Sequence, residues 1–159
     1  MRKRFTGKII ISLVIILILI LLFNVLNIKN LILKQMYKQE YSVYVNKYAQ
    51  INDIDPMWIY AIIKVESDFD ANATSNSGAK GLMQLMDDTA KEIARDLELQ
   101  DFESNMLYNP EINIMLGAKY FDELLAKYNE NYYLAIAAYN GGIGNVDTWI
   151  DKGIIKSDG

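Results

Sequence analysis

Residues 55–67 read DPMWIYAIIKVES, and this stretch decides how the rest of the chain is interpreted. Its first two residues are typical of a helix start, because Asp55 can cap free backbone amides and Pro56 suits the first helical position. Isoleucines at 59, 62 and 63 then recur at helical spacing. The stretch therefore predicts a helix that reaches about Ser67 and has one apolar face.

Glu66 lies on or beside that apolar face, because it follows Ile63, Ile62 and Ile59 by three, four and seven residues. A carboxylate is not expected there, since burial of its charge is unfavourable and such a group tends to bind a proton instead. A carboxylic acid that stays protonated near neutral pH is suited to general-acid catalysis. Position alone leaves an alternative open, in which Glu66 is a surface residue at the edge of the stripe or pairs with a lysine.

The same signals predict further helices on the carboxyl side, at about 88–97, 110–128, 132–139 and 145–150. Asn109 and Pro110 repeat the pattern of a capping side chain followed by proline. Gly141 and Gly142 mark a helix end, as glycines often do. No alternating strand pattern of any length occurs. The predicted fold class is therefore all-α.

A polar segment with an apolar stripe, 29–50, precedes these helices. Tyrosines at 37, 41, 44 and 48 recur at spacings of four, three and four, which places them on one helical face. We expect a connecting helix that packs this face onto the domain. A face on which sugars stack is the alternative.

The stretch 9–28 carries no charged residue and is bounded by Lys8 and Lys29. About twenty apolar residues in a helix are long enough to cross a bilayer. The four basic residues in 1–8 predict that the amino terminus stays in the cytoplasm and that the rest lies outside. A cleaved signal peptide is the alternative, although no small-residue cleavage site follows the apolar run.

Four parts are therefore predicted: a cytoplasmic basic tail at 1–8, a transmembrane helix at 9–28, the connecting helix at 29–50 and a folded domain at 51–159. We expect a single-pass protein of the cell membrane with an extracytoplasmic domain.

Composition excludes several classes of chemistry. The 159 residues include no cysteine and no histidine, so thiol nucleophiles, disulfides and imidazole-based mechanisms are excluded. Four of the 16 basic residues precede the apolar stretch, which leaves 12 against 20 acidic residues and a net charge of −8 beyond Lys8. Without a basic stripe, a nucleic-acid partner is not expected.

The residues Asp68, Asp70 and Asn72 alternate like the start of a calcium-binding EF-hand loop. Such a loop needs glycine at its sixth position and glutamate at its twelfth, and this chain has Ala73 and Ala79 there. The stretch is therefore interpreted as a polar turn. No metal and no cofactor are predicted.

Three stretches share an order and spacing with a known family. They are AIIKVES at 61–67, GAKGLMQLM at 78–86 and AIAAYNGG at 135–142. Together they resemble the lytic transglycosylase catalytic (SLT) domain, which is related to goose-type lysozyme. The resemblance covers about 48–150 and implies a lysozyme-like helical domain behind the transmembrane helix.

The resemblance also implies roles for individual residues. Glu66 is the implied catalytic acid, and the residues implied at the glycan groove are Ser75, Met83, Gln84, Met86, Tyr139 and Asn140. The residues alone leave structural roles open for several of these, with the methionines in the core, Gln84 as a buried hydrogen-bonding residue and Ser75 in a turn. The implied partner is the glycan strand of peptidoglycan.

The implied reaction cleaves the β-1,4 bond between N-acetylmuramic acid and N-acetylglucosamine and forms a 1,6-anhydro product, with one glutamate acting as acid and then base. A hydrolase of the same fold is one alternative, for which Asp68 and Asp70 are candidate water-positioning residues. A glycan-binding scaffold without turnover is the other.

This chain departs from the family pattern in two places. Asp87-Asp88 stands where the family usually has Pro-Asp. The family's domain also commonly continues into a further helix, which leaves either a shortened carboxyl end or a truncated sequence for this chain.

Overall fold

The computed structural model describes residues 15, 16, 23 and 40–156. The chain divides into two units, Met1–Gln39 and Glu40–Gly159, and the fold below is that of the described part of the second unit. The predicted tail at 1–8 lies outside the described residues, and so does the predicted span at 9–28 apart from the three named positions. In the described part of the chain, no helix combines the length and the apolar character that crossing a membrane requires.

Within 40–156 the structure is built from helices and turns. Its α-helices are α1 (Ser42–Ile51), α2 (Pro56–Ser67), α3 (Asp87–Asp96), α4 (Pro110–Lys127), α5 (Tyr132–Gly141) and α6 (Ile143–Asp151), with a 3₁₀ helix at Ser104–Tyr108. The only extended pairings among these residues are isolated bridges of Lys80 with Thr74 and with Leu85. The predicted all-α class is confirmed for this part of the chain.

Side-chain caps define where three helices begin. The Asp55 carboxylate accepts a hydrogen bond from the amide of Met57 at 2.9 Å, at the start of α2. Asn109 accepts from two amides of α4 and Asn131 from two amides of α5. The predicted starts at 55–56 and 109–110 are therefore confirmed, because each cap satisfies amides that lack a partner within the helix.

Helix α4 is the centre of the domain, since it contacts α1, α3, α5 and the 3₁₀ helix. Its residues Ile114, Leu116 and Phe121 are fully buried. A larger apolar cluster surrounds α4 on the side of α1, α2, α5 and α6, and a smaller one fills the space between α3, the 3₁₀ helix and α4. The loop between α2 and α3 contributes Leu82 and Met83 to the larger cluster and is thereby fixed against α4.

The connecting helix differs from its prediction. In the described part of the predicted helix at 29–50, Glu40 and Tyr41 form a turn, and Tyr41 has a left-handed backbone with φ of 61°. Helix α1 begins only at Ser42. It buries Val45 and Tyr48 in the larger cluster, so it is part of the domain, and the compact unit begins at Glu40 rather than at residue 51.

Candidate active site

Glu66 lies in the last turn of α2, beside the buried Ile62 and Ile63. Its side chain is half-buried, and this burial raises the pKa of the carboxyl above its ordinary value. Among the described residues it has no hydrogen bond and no ion pair, so nothing there stabilises the charged form. The predicted position of Glu66 at the edge of the apolar face is confirmed, and its carboxyl group is able to hold a proton at higher pH than an exposed one.

The residue after Glu66 connects α2 to the loop that follows. The Ser67 hydroxyl donates a hydrogen bond to the Leu82 carbonyl at 2.8 Å and also lies 3.1 Å from the Ile63 carbonyl. The helix then ends, because Asp68 and Phe69 both have left-handed backbones. Ser67 therefore connects the carboxyl end of α2 directly to the turn at 81–84.

The turn at 81–84 packs under this helix end. Met83 is fully buried, so its side chain has the core role that the residues alone left open, and the place of its segment at the glycan groove stays a prediction. Gln84 is half-buried and has a φ of 48°, and its side-chain amide donates to the carbonyls of Gly81 and Ala73. Met86, by contrast, is 45% exposed.

Tyr139 approaches the site from α5. Its hydroxyl donates a hydrogen bond to the Met83 carbonyl at 2.8 Å. Burial, and secondly the neighbouring Glu66 carboxylate, raise the pKa of this hydroxyl well above its usual range. The rings of Tyr120 and Phe121 pack against it, with centroids 5.3 and 6.2 Å away. The Tyr139 phenol is therefore neutral and held in place, and it lies close enough to Glu66 for the Glu66 charge to affect its pKa.

Ser75 and Asn140 make only local contacts in the described structure. The Ser75 hydroxyl accepts from the Ala79 amide at 3.0 Å and lies 3.2 Å from the Ser77 hydroxyl, so it organises the turn that leads into Lys80. Asn140 is exposed, and its side chain donates to the Ile136 carbonyl of the same helix at 3.1 Å. The structure thus places Met83 and Tyr139 close to Glu66, whereas no side-chain hydrogen bond of Ser75 or Asn140 reaches any of these three residues.

The two nearby aspartates have structural partners. Asp68 forms an exposed ion pair with Lys64 one helical turn earlier. Asp70 accepts a hydrogen bond from the Asn72 amide at 2.9 Å, which is the geometry of a polar turn. Within the described residues, no three acidic side chains are grouped as a metal site would require.

Asn113 and Ser67 are positioned around the site, yet sequence reasoning assigned neither a role. Asn113 is the fully buried polar residue of α4, and its side chain binds backbone groups of Lys80, Met83 and Leu107. The signal was available, because Leu116, Tyr120 and Leu124 follow Asn113 by three, seven and eleven residues, which places Asn113 on an apolar face of its helix. This is the argument that singled out Glu66.

Two surface cavities lie elsewhere on the domain, and Glu66 lines neither. One of about 540 Å³ lies along α3 and the loop after it, lined by Asp88, Lys91, Glu92, Ala94, Arg95, Leu99 and Phe102. The other, of about 410 Å³, lies between α5, α6 and the residues after α6, lined by Asn131, Tyr133, Leu134, Ala137, Trp149, Ile155 and Lys156.

Comparison with known proteins gives a consistent result. The family model described as "Transglycosylase SLT domain" matches residues 43–157. A putative soluble lytic murein transglycosylase of Haemophilus influenzae is 38% identical over 112 residues, which are 70% of this chain and 19% of that protein. A membrane-bound lytic murein transglycosylase C of Photorhabdus laumondii is 37% identical over 105 residues, which are 58% of this chain and 29% of that protein.

Solved structures show the same similarity. An inactive mutant of the lytic transglycosylase Slt from Pseudomonas aeruginosa is 36% identical, with a TM-score of 0.71 over 74% of this chain and 19% of that one. The 70 kDa soluble lytic transglycosylase of Escherichia coli is 30% identical, with a TM-score of 0.71 over 75% of this chain and 19% of that one. The chain spans about a fifth of the length of the soluble relatives. It belongs to the transglycosylase SLT domain family.

Proposed function

We propose that this chain is a peptidoglycan lytic transglycosylase that cleaves the β-1,4 bond between N-acetylmuramic acid and N-acetylglucosamine, with Glu66 as its catalytic residue. The observation that carries the proposal is the half-buried Glu66 carboxyl, with its raised pKa, beside the neutral Tyr139 hydroxyl. Family membership supports the same assignment, and relatives of this chain are named lytic murein transglycosylases.

In the proposed reaction, protonated Glu66 gives its proton to the glycosidic oxygen as the bond from that oxygen to the anomeric carbon breaks. The N-acetyl group of the substrate stabilises the positive charge at the anomeric carbon, as in substrate-assisted glycosidases. Glu66 is now a carboxylate and takes the proton of the muramic acid 6-hydroxyl. That oxygen bonds to the anomeric carbon, which gives the 1,6-anhydro product without consuming water and restores the protonated acid.

Tyr139 supports the acid form of Glu66 in this scheme. The single proton of its hydroxyl is donated to the Met83 carbonyl, so the oxygen faces other partners as an acceptor. An acceptor beside a carboxyl group favours the protonated carboxylic acid over the carboxylate. We therefore propose that the Tyr139 oxygen accepts a hydrogen bond from protonated Glu66 in the reacting complex, in addition to the burial that raises the Glu66 pKa in this structure.

The glycan contacts are proposed for Ser75, Gln84, Met86, Tyr139 and Asn140. Exposure supports Met86 and Asn140, since both side chains present surface to solvent. Met83 contributes through its main-chain carbonyl, which accepts the hydrogen bond of the Tyr139 hydroxyl. The reaction as proposed needs no metal and no cofactor.

We also propose that 9–28 anchors the chain in the cell membrane, with the amino terminus in the cytoplasm and the catalytic domain outside, where peptidoglycan lies. The length and apolar character of 9–28 and the basic residues before it support this topology. Relatives named membrane-bound lytic murein transglycosylases support the membrane association, though not the topology.

The proposal is tested by release of soluble fragments from purified peptidoglycan by the full-length chain and two variants. Glu66→Gln removes the acid, and we expect a loss of at least about 10³-fold in rate. Glu123→Gln is the matched control, because Glu123 is also half-buried with a pKa raised by burial but lies on α4 beside Lys119. The control is expected to retain activity. A Glu66→Gln variant as active as the Glu123→Gln variant would contradict the proposal.

A further inference from the structure

The peptide group between Leu82 and Met83 is bound from two sides. Its carbonyl oxygen accepts a hydrogen bond from the Ser67 hydroxyl at 2.8 Å, and its N–H donates to the Asn113 side-chain oxygen at 2.8 Å. Ser67 is the residue after Glu66, and Asn113 lies in the central helix α4. The orientation of one peptide plane is therefore shared between the helix that carries the proposed acid and the core of the domain.

Asn113 has no freedom to turn. It is fully buried, and both hydrogens of its amide group are used, one for the Lys80 carbonyl at 3.0 Å and one for the Leu107 carbonyl at 2.8 Å. Its oxygen accepts from Met83. Any rotation would leave several buried backbone groups without partners, which is unfavourable.

Two glycines allow this close approach. A Cβ atom at Gly81 would lie 2.3 Å from the Asn113 amide nitrogen and 2.1 Å from the Leu107 carbonyl oxygen. Gly117 lies one helical turn after Asn113, and a Cβ atom there would lie 2.4 Å from the Met83 sulfur. The same face of α4 thus holds the backbone of Met83 through Asn113 and accommodates its side chain at Gly117.

Met83 links this peptide group to Tyr139 by a hydrogen bond. Its carbonyl oxygen accepts the Tyr139 hydroxyl at 2.8 Å, and Tyr139 is the side chain whose pKa responds to the Glu66 charge. A substitution of Asn113 would therefore shift groups near Glu66 in two ways. One is through the Leu82 carbonyl and Ser67, and the other is through the Met83 carbonyl and Tyr139. Asn113 forms no hydrogen bond with Glu66 or Tyr139, since its side chain bonds to Lys80, Met83 and Leu107.

We propose that Asn113 is a positioning residue of the catalytic site: by fixing the Leu82–Met83 peptide group, it sets the placement of the Tyr139 hydroxyl relative to Glu66. This inference rests on the proposed function. Because it acts on geometry in the reacting complex, its loss lowers kcat and leaves KM nearly unchanged.

The test is a double-mutant cycle in the full-length chain, with kcat and KM measured on purified peptidoglycan for Asn113→Ala, Tyr139→Phe and the combination. We expect Asn113→Ala to lower kcat by about 10²-fold with a change in KM below about threefold, and the double variant to be little worse than the poorer single variant. Val45→Ala, a truncation of a fully buried residue in α1, is the control for lost stability alone. It should leave kcat within about threefold at a temperature where it is folded.

Ser67→Ala is the second variant, because it releases the same peptide group from the opposite side and leaves the core packing of Asn113 intact. It is measured in the same cycle if Asn113→Ala does not fold, and we expect it to lower kcat and to couple with Tyr139→Phe. Fully additive losses in kcat, or a loss no larger than that of Val45→Ala, would overturn the positioning role while the wild type remains active. An inactive wild-type chain would overturn the proposed function and this role together.

Discussion

The Tyr139 hydroxyl donates a hydrogen bond to the main-chain carbonyl of Met83 at 2.8 Å, across segments that are 56 residues apart. This hydrogen bond joins α5 to the turn at 81–84, and it determines whether the hydroxyl can donate or only accept a further hydrogen bond. Its proton is already used, so towards Glu66 the phenol is an acceptor. Several consequences can be measured.

Tyr139→Phe should destabilise the domain, because the phenylalanine ring keeps the packing but leaves the Met83 carbonyl without its donor. The expected loss in the free energy of unfolding is about 1–3 kcal/mol, measured by chemical denaturation. Tyr133→Phe is the control, since Tyr133 is 86% exposed and should change stability by less than about 0.5 kcal/mol. Equal effects of the two substitutions would mean that the hydrogen bond to Met83 contributes nothing to stability.

Glu66→Gln should stabilise the folded domain near neutral pH. The pKa of Glu66 is raised in the folded state above its ordinary value of 4.5. Below that value both states hold the proton, so the carboxyl adds no pH dependence. As the pH rises through it, the unfolded state ionises first, and wild-type stability falls until the pH passes the folded pKa. Glutamine carries no such penalty.

The melting temperature of Glu66→Gln should therefore exceed that of the wild type near pH 7, and the difference should shrink as the pH falls to about 4. Glu98→Gln, at an exposed position, provides the baseline for the removal of one carboxylate. A Glu66→Gln difference that grows on acidification has the wrong sign for a buried acid and would refute this explanation.

Gly81→Ala should disrupt the turn at 81–84. Gly81 has a φ of 75°, and its Cβ would meet the Leu107 carbonyl at 2.1 Å. Gly78→Ala separates the two effects, because Gly78 has a φ of 91° but open space around its Cβ position. We expect about 1 kcal/mol of backbone strain for Gly78→Ala and more than about 3 kcal/mol for Gly81→Ala, measured by thermal unfolding. Similar losses would show that the tight contact at Gly81 relaxes without consequence.

Asn109→Ala should lower stability by about 1 kcal/mol, because the Asn109 side chain caps two amides at the start of the central helix α4. Asn105→Ala serves as the control, since the Asn105 amide group only reaches the nearby Glu103 carboxylate on the surface. Urea denaturation measures both. If the two variants unfold at the same urea concentration, the cap is not what fixes the start of α4.

Local signals were sufficient to predict much of the fold. The pairs Asp55–Pro56 and Asn109–Pro110 predicted two helix starts because capping and proline geometry act within a few residues. The turn at Tyr41 was not predictable in this way, because a left-handed tyrosine is intrinsically unfavourable and depends on its surroundings. The 3₁₀ helix Ser104–Tyr108 likewise depends on the burial of Leu107 against α4.

The site was predictable where a residue contradicts its local pattern. Glu66 was recognised as a carboxylate on an apolar stripe, and its half-burial agrees with that reasoning. Asn113 contradicts its stripe in the same way and is fully buried. Met83 could not be placed from the sequence, because the type of an apolar residue in a loop does not tell which side of the loop faces the core.

The masses of the muropeptides that the full-length chain releases from purified peptidoglycan show whether the reaction is intramolecular and uses one glutamate. Products one water lighter than those of a hydrolase, and their absence with Glu66→Gln, are the predicted result, because the 6-hydroxyl of the substrate replaces water. Products with reducing muramic acid ends would contradict it and would mean that the domain is a hydrolase.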